Sequence, residues 1–95
     1  MFIGDLVKLS GDITRDNKED TDFINNAIKE GWIWLVTSMD NEDVNYEIRP
    51  LYLEPDVPQI IQLGKELLIL SDEVEIIRMS RKELFSILQQ QVITI

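Results

Sequence analysis

Residues 31–53, GWIWLVTSMDNEDVNYEIRPLYL, hold two apolar runs on either side of an acidic turn, Asp40-Asn41-Glu42-Asp43. A turn of this composition between β-prone runs predicts a hairpin. Side chains alternate between the two faces of a strand, so the pairing register decides which of them are buried. A two- or four-residue loop sets Met39 opposite Val44, Thr37 opposite Tyr46 and Leu35 opposite Ile48. With Ile33, these residues make one apolar face that is expected to meet the core. The other face pairs Ser38 with Asn45, Val36 with Glu47, Trp34 with Arg49 and Trp32 with Leu51. It is polar near the turn and aromatic at the far end. Pro50 cannot donate to a ladder, which suits an edge position or a bulge.

The flanking segments supply the remaining elements. FIGDLVKL at 2–9 reads as a first strand, with Gly4-Asp5 suited to a bend before its paired part. Ser10 to Asp22 is polar and acidic apart from Ile13 and reads as an exposed loop. A short helix follows, capped by Thr21 or Asp20, with Phe23, Ile24, Ala27 and Ile28 at helical spacing and Gly31 in the left-handed position that ends it. Asp56-Val57-Pro58-Gln59 resembles a capping box, which predicts one or two helical turns through Ile60, Ile61 and Leu63 up to Gly64. Leu67–Leu70 and Val74–Ile77 read as two short strands separated by Ser71-Asp72-Glu73. Ser80-Arg81-Lys82-Glu83 matches S-x-x-E, with Met79 and Leu84 at the staple positions, and opens a C-terminal helix. The final VITI, residues 92–95, is β-prone and is expected to add to a sheet edge, here or on a second copy.

These pieces fit one domain, residues 1–95, of β-rich α+β class. The expectation is a small, bent, five-stranded antiparallel sheet or barrel, with short helices in the connections and a helix at the C-terminal end.

Chemistry is narrowed by what is missing. The chain has no histidine and no cysteine. That removes the usual zinc sites, Ser-His and Cys-His nucleophile systems and disulfides. The glycines stand singly at 4, 11, 31 and 64, so there is no phosphate-cradling loop. An EF-hand starting at Asp16 would have Ala27 in place of the bidentate glutamate, and one starting at Asp12 would have Phe23 there. No enzyme activity, cofactor or metal is therefore expected. Eighteen acidic against nine basic residues give a net charge of −9, which repels phosphate backbones and anionic lipid. Direct nucleic-acid and membrane contacts are not expected. No apolar run has the length of a membrane span, and the N-terminus lacks the pattern of a signal peptide.

Two readings of the aromatic face stay open. In one, both tryptophans are covered by the chain's own C-terminal helix or by residues 54–66. In the other, Trp32, Trp34, Arg49 and Leu51 form a partner-binding surface, with Trp34 stacked on Arg49 as its anchor. A separate possibility is that the acidic loop Asp12–Asp22 and the turn Asp40–Asp43 imitate nucleic acid and inhibit a DNA- or RNA-binding protein.

GDLVKL at 4–9, GWIWLVTS at 31–38 and LLILSDEVEII at 67–77 resemble the strands of small SH3-like barrel proteins of tailed bacteriophages. In that pattern a Gly-Asp-Leu-Val strand opens the barrel, a Gly-led apolar strand starts the central hairpin, and two short strands joined by a tight turn close it. The resemblance covers about half the chain. The helical segments in the long connections and the C-terminal helix depart from the minimal barrel. The resemblance implies a non-catalytic interaction module of viral origin, either a virion part or an accessory factor in the host cytoplasm. Its partner would be another virion subunit or a host protein.

Overall fold

The computed structural model describes residues 1–10, 13–40, 45–54, 56, 59–64 and 66–90. In chain order it contains β1 (Leu6–Leu9), α1 (Lys18–Glu30), β2 (Trp34–Met39), β3 (Asn45–Glu54), β4 (Gln59–Gln62), β5 (Leu67–Leu70), a 3-10 turn (Ser71–Glu73), β6 (Val74–Ile77) and α2 (Arg81–Gln90). All pairings are antiparallel, and the sheet runs β4-β3-β2-β1-β6, with β5 also on β3. β4 pairs with Leu51–Glu54 and β5 with Asn45–Ile48, so the two divide one edge of the long strand β3 between them. Among the described residues neither β4 nor β5 pairs with β6. The α+β class holds, but the sheet has six strands rather than five and is open, not a closed barrel.

The hairpin forms in a different register from the one its turn suggests. Trp34 faces Pro50, Leu35 faces Arg49 and Val36 faces Ile48; beyond a bulge at Thr37, Ser38 faces Glu47 and Met39 faces Tyr46. The pairing has slid by one residue before the bulge, which sends every side chain there to the other face. Trp32, Trp34, Val36 and Ile48 now pack with Val7, Leu9, Ile24, Ala27 and Ile69 in the main core, while Ile33 and Leu51 join Leu84 and Leu88 of α2 in a second one. A helix over each face explains the choice. Apolar–polar alternation distinguishes inside from outside only when one face is wet, and near Gly31 neither is. Turning the indoles inward places the largest side chains in the larger core.

Local signals account for most element ends. Gly4, at φ +96°, sits in a turn in which the Asp5 N–H donates to the Phe2 carbonyl at 3.1 Å, so β1 begins at Leu6 and not at residue 2. α1 begins earlier than its apolar spacing suggests. The Asn17 side chain accepts the Glu19 N–H at 2.8 Å and caps the helix, and Thr21 instead accepts the Arg15 N–H at 2.9 Å. At the far end Gly31 takes the left-handed conformation (φ 70°), with its N–H on Ile28 and that of Trp32 on Ala27. The helical turn expected near Ile60 is the strand β4 instead. The β-branched pair Ile60-Ile61 favours extended backbone, and the far half of β3 offers an open edge. Gly64 is not in a left-handed conformation. Ser80 caps α2 by accepting the Glu83 N–H at 3.1 Å, and Met79 packs against the second core, to which Leu84 belongs. The tail strand expected at 92–95 lies outside the described residues. Among those described, no helix is long and apolar enough to cross a membrane.

Candidate functional site

The four residues expected to form a contact face do not share one. Trp32 (2% exposed), Trp34 (0%) and Leu51 (4%) are buried, the indoles in the main core and Leu51 in the second. Phe23 of α1 meets Trp32 edge-on at 5.4 Å and Trp34 at 6.2 Å, and the two indoles lie 6.2 Å apart. Trp34 does not stack on Arg49. The guanidinium bonds Glu66 at 2.9 Å, Glu47 at 3.3 Å and the Gly64 carbonyl at 3.4 Å, which ties the β4–β5 connection to β3. Of the two open readings, burial by the chain's own elements is the one the coordinates support, with α1 rather than α2 over the indoles.

What remains exposed and apolar gathers elsewhere. Phe2, Ile3, Met39, Leu68 (62% exposed) and Leu70 are all open to solvent. The Gly4 N–H donates to the Val36 carbonyl, which sets the Phe2-Ile3 turn beside β2 near Thr37. Across the sheet, Ser38, Glu47 and Leu68 fall in one row, on the same face as Asn45 and Leu70, while Met39, Tyr46 and the buried Ile69 form the neighbouring row on the opposite face. These side chains fall at the turn end of the hairpin, within about two rungs along the strands and three strand spacings across, or roughly 7 by 14 Å. The bulge gives this end a polar centre: the Thr37 hydroxyl donates to Glu47 Oε1 at 2.8 Å. That bond, with help from Arg49, holds the Glu47 carboxyl below its ordinary pKa against the opposing effect of desolvation. The sequence hid this site because LLIL is apolar throughout and shows no outward side until its partner strand is known.

The outer edge of β5 is closed by side chains. Arg15 donates to the Leu68 carbonyl at 2.9 Å, and Glu73 accepts the Leu70 N–H at 2.8 Å. The two side chains also clasp each other through bonds of 2.9 and 3.0 Å. The Arg15 bond, the Leu70 amide and the Arg15 charge keep the Glu73 carboxyl ionised below its ordinary range, against the cost of burial. Of the acids weighed as a nucleic-acid mimic, Asp16, Glu19 and Asp20 are exposed and Asp22 pairs with Lys18 at 2.8 Å; Asp12, Glu42 and Asp43 lie outside the described residues. No group of carboxylates among the described residues is placed to hold a metal ion.

Fold and site together define an α+β domain with an open antiparallel sheet, two helix-covered faces and exposed apolar side chains at one end. No protein-family model, curated protein or solved structure matches the chain.

Proposed function

We propose that this chain is a non-enzymatic protein–protein interaction module whose contact surface lies at the turn end of the hairpin and centres on Leu68 and Leu70, which share one face of β5, with the exposed Phe2-Ile3 turn near the same end. The observation that carries this reading is the exposure of these large apolar side chains at one end of a sheet whose tryptophans are already buried. We also read the domain as an open variant of the SH3-like phage barrels. In support, the opening strand, the Gly-led hairpin and the two short strands joined by a tight turn come in the expected order. On that reading the partner is a virion subunit or a host protein, met inside the host cell or in the particle.

The test is affinity capture from a bacterial lysate with wild type, Leu68→Ser and Leu70→Ser. Both side chains are substantially solvated, so the variants should fold as well as wild type and lose the captured protein. Retained capture by both variants rejects this surface. A captured protein that is a nucleic-acid binder, released by moderate salt and indifferent to these two changes, favours mimicry by the acidic segments instead.

A further inference from the structure

The strands at the ends of this sheet are treated differently. β5 has two of its outward backbone groups, the Leu68 carbonyl and the Leu70 N–H, occupied by Arg15 and Glu73. β4 is bounded by Gln59 and Gln62, and its isoleucines are half-buried. β6, like β4, has no such side-chain clasp among the described residues, and it differs from β4 in exposing an isoleucine, Ile76. The Ser10 N–H donates to the Glu73 carbonyl at 2.9 Å, and the pairs Lys8–Glu75 and Leu6–Ile77 follow in the same phase. In an antiparallel ladder the alternate residues, Val74 and Ile76, then turn their N–H and C=O groups away from β1. No partner for those groups is present among the described residues, and the Ile76 side chain is 44% exposed. Sheet edges left in this state add strands, and natural proteins ordinarily block them. This chain clasps two outward groups of β5 with a pair of side chains and gives β6 no such clasp.

We propose that β6 is a strand-addition site for an extended, cationic segment of a partner protein. Ile76 calls for an apolar or β-branched neighbour on the added strand, and Glu75, exposed between the two outward residues, calls for Lys or Arg opposite it. The net charge of −9 draws a basic segment and repels an acidic one. A second copy is disfavoured by the same charge, and a twofold pairing centred on Glu75 would set like charges face to face. This site is separate from the hairpin end and does not depend on it.

The experiment titrates a blocked peptide of alternating lysine and valine into the full chain and follows the backbone amides by NMR. Shifts centred on Val74–Ile77 and slowed hydrogen exchange at Val74 and Ile76 are expected. The glutamate–valine counterpart should not bind, nor should the lysine peptide N-methylated at the amides that face β6. Ile76→Pro removes an outward N–H without touching the bonds to β1, and should weaken binding about fivefold or more. The N-methylated peptide provides the same test with no change to the protein. Equal binding of the acidic peptide, shifts confined to other strands, or full binding after N-methylation overturns the proposal. So does a doubled mass of the free chain lost on Ile76→Pro, or peptide binding that appears only after residues 91–95 are removed. These last two results assign the edge to a second copy or to the chain's own tail.

Discussion

Arg15 and Glu73, far apart in sequence, meet in a two-bonded ion pair that also bonds two outward backbone groups of β5, the Leu68 carbonyl and the Leu70 N–H. Position and charge are both used here: the Leu68 carbonyl needs a donor, and the Leu70 amide needs an acceptor.

Removing either partner should therefore do two things. Arg15→Ala or Glu73→Ala leaves the other group without its bonds, at a cost of about 1–2 kcal/mol given partial solvent screening. It also frees the Leu70 N–H or the Leu68 carbonyl from its side-chain partner, so hydrogen exchange at Leu70 should quicken in the Glu73 variant. The charge-swapped double variant, Arg15→Glu with Glu73→Arg, restores an ion pair but places an acceptor near a carbonyl and a donor near an amide. It should recover little of the loss in urea unfolding; full recovery would mean that the pair matters only as a charge pair.

The same carboxylate sets part of the response to acid. Its pKa is depressed in the fold, first by the Arg15 bond, so its contribution is complete above the ordinary glutamate value of 4.5 and is lost as pH falls through the lower folded value. Acid also relieves the repulsion of nine excess negative charges, which acts in the opposite direction. Comparing wild type with Glu73→Gln cancels that shared effect. Wild type should be the more stable at neutral pH, and the gap should narrow as pH falls below the ordinary value of 4.5. A gap independent of pH would assign the stabilisation to packing.

Trp34 is expected to fail as a binding residue and to succeed as a core residue. Truncation to Ala should cost about 3–5 kcal/mol, enough to threaten a domain of this size. Phe should be milder, because the Trp34 indole N–H, like that of Trp32, is buried without a partner, and losing it removes an unmet donor. Wild-type fluorescence should be blue-shifted and move red on unfolding. A red-shifted emission in the native state would place at least one indole in water.

The secondary structure of this chain was more legible than its register. Gly31 and Ser80 mark helix ends by chemistry that acts within a few residues, and they act where the sequence puts them. Asn17 has the same capping chemistry but lies upstream of the apolar spacing, so that spacing alone puts the start of α1 too late. The hairpin was recognisable, but its register was not. The bulge at Thr37 cannot be seen in composition, and two covering helices make both faces apolar, so the pattern that normally selects a register is missing. The candidate surface moved as a result. Once Trp34 turns inward, the aromatic face closes, and the exposed positions on β5 and in the Phe2–Asp5 turn are those that depend on long-range pairing.

Gly31 joins local conformation to the core. Its φ of 70° lets α1 end on the Ala27 and Ile28 carbonyls and delivers Trp32 directly beneath Phe23. A Cβ built at this position meets no atom within 4 Å, so substitution should cost backbone strain alone. Gly31→Ala is therefore expected to destabilise by about 1–2 kcal/mol, with Asn, which tolerates the left-handed region better, below it. Semisynthetic D-alanine, for which this φ is favourable, should be neutral or stabilising by up to about 1 kcal/mol, since it also restricts the unfolded chain. The urea midpoints should rank D-Ala at or above Gly, then Asn, then L-Ala. A D-Ala variant as unstable as the L-Ala one would show that the added methyl collides with a neighbour, and the account of this helix exit would be wrong.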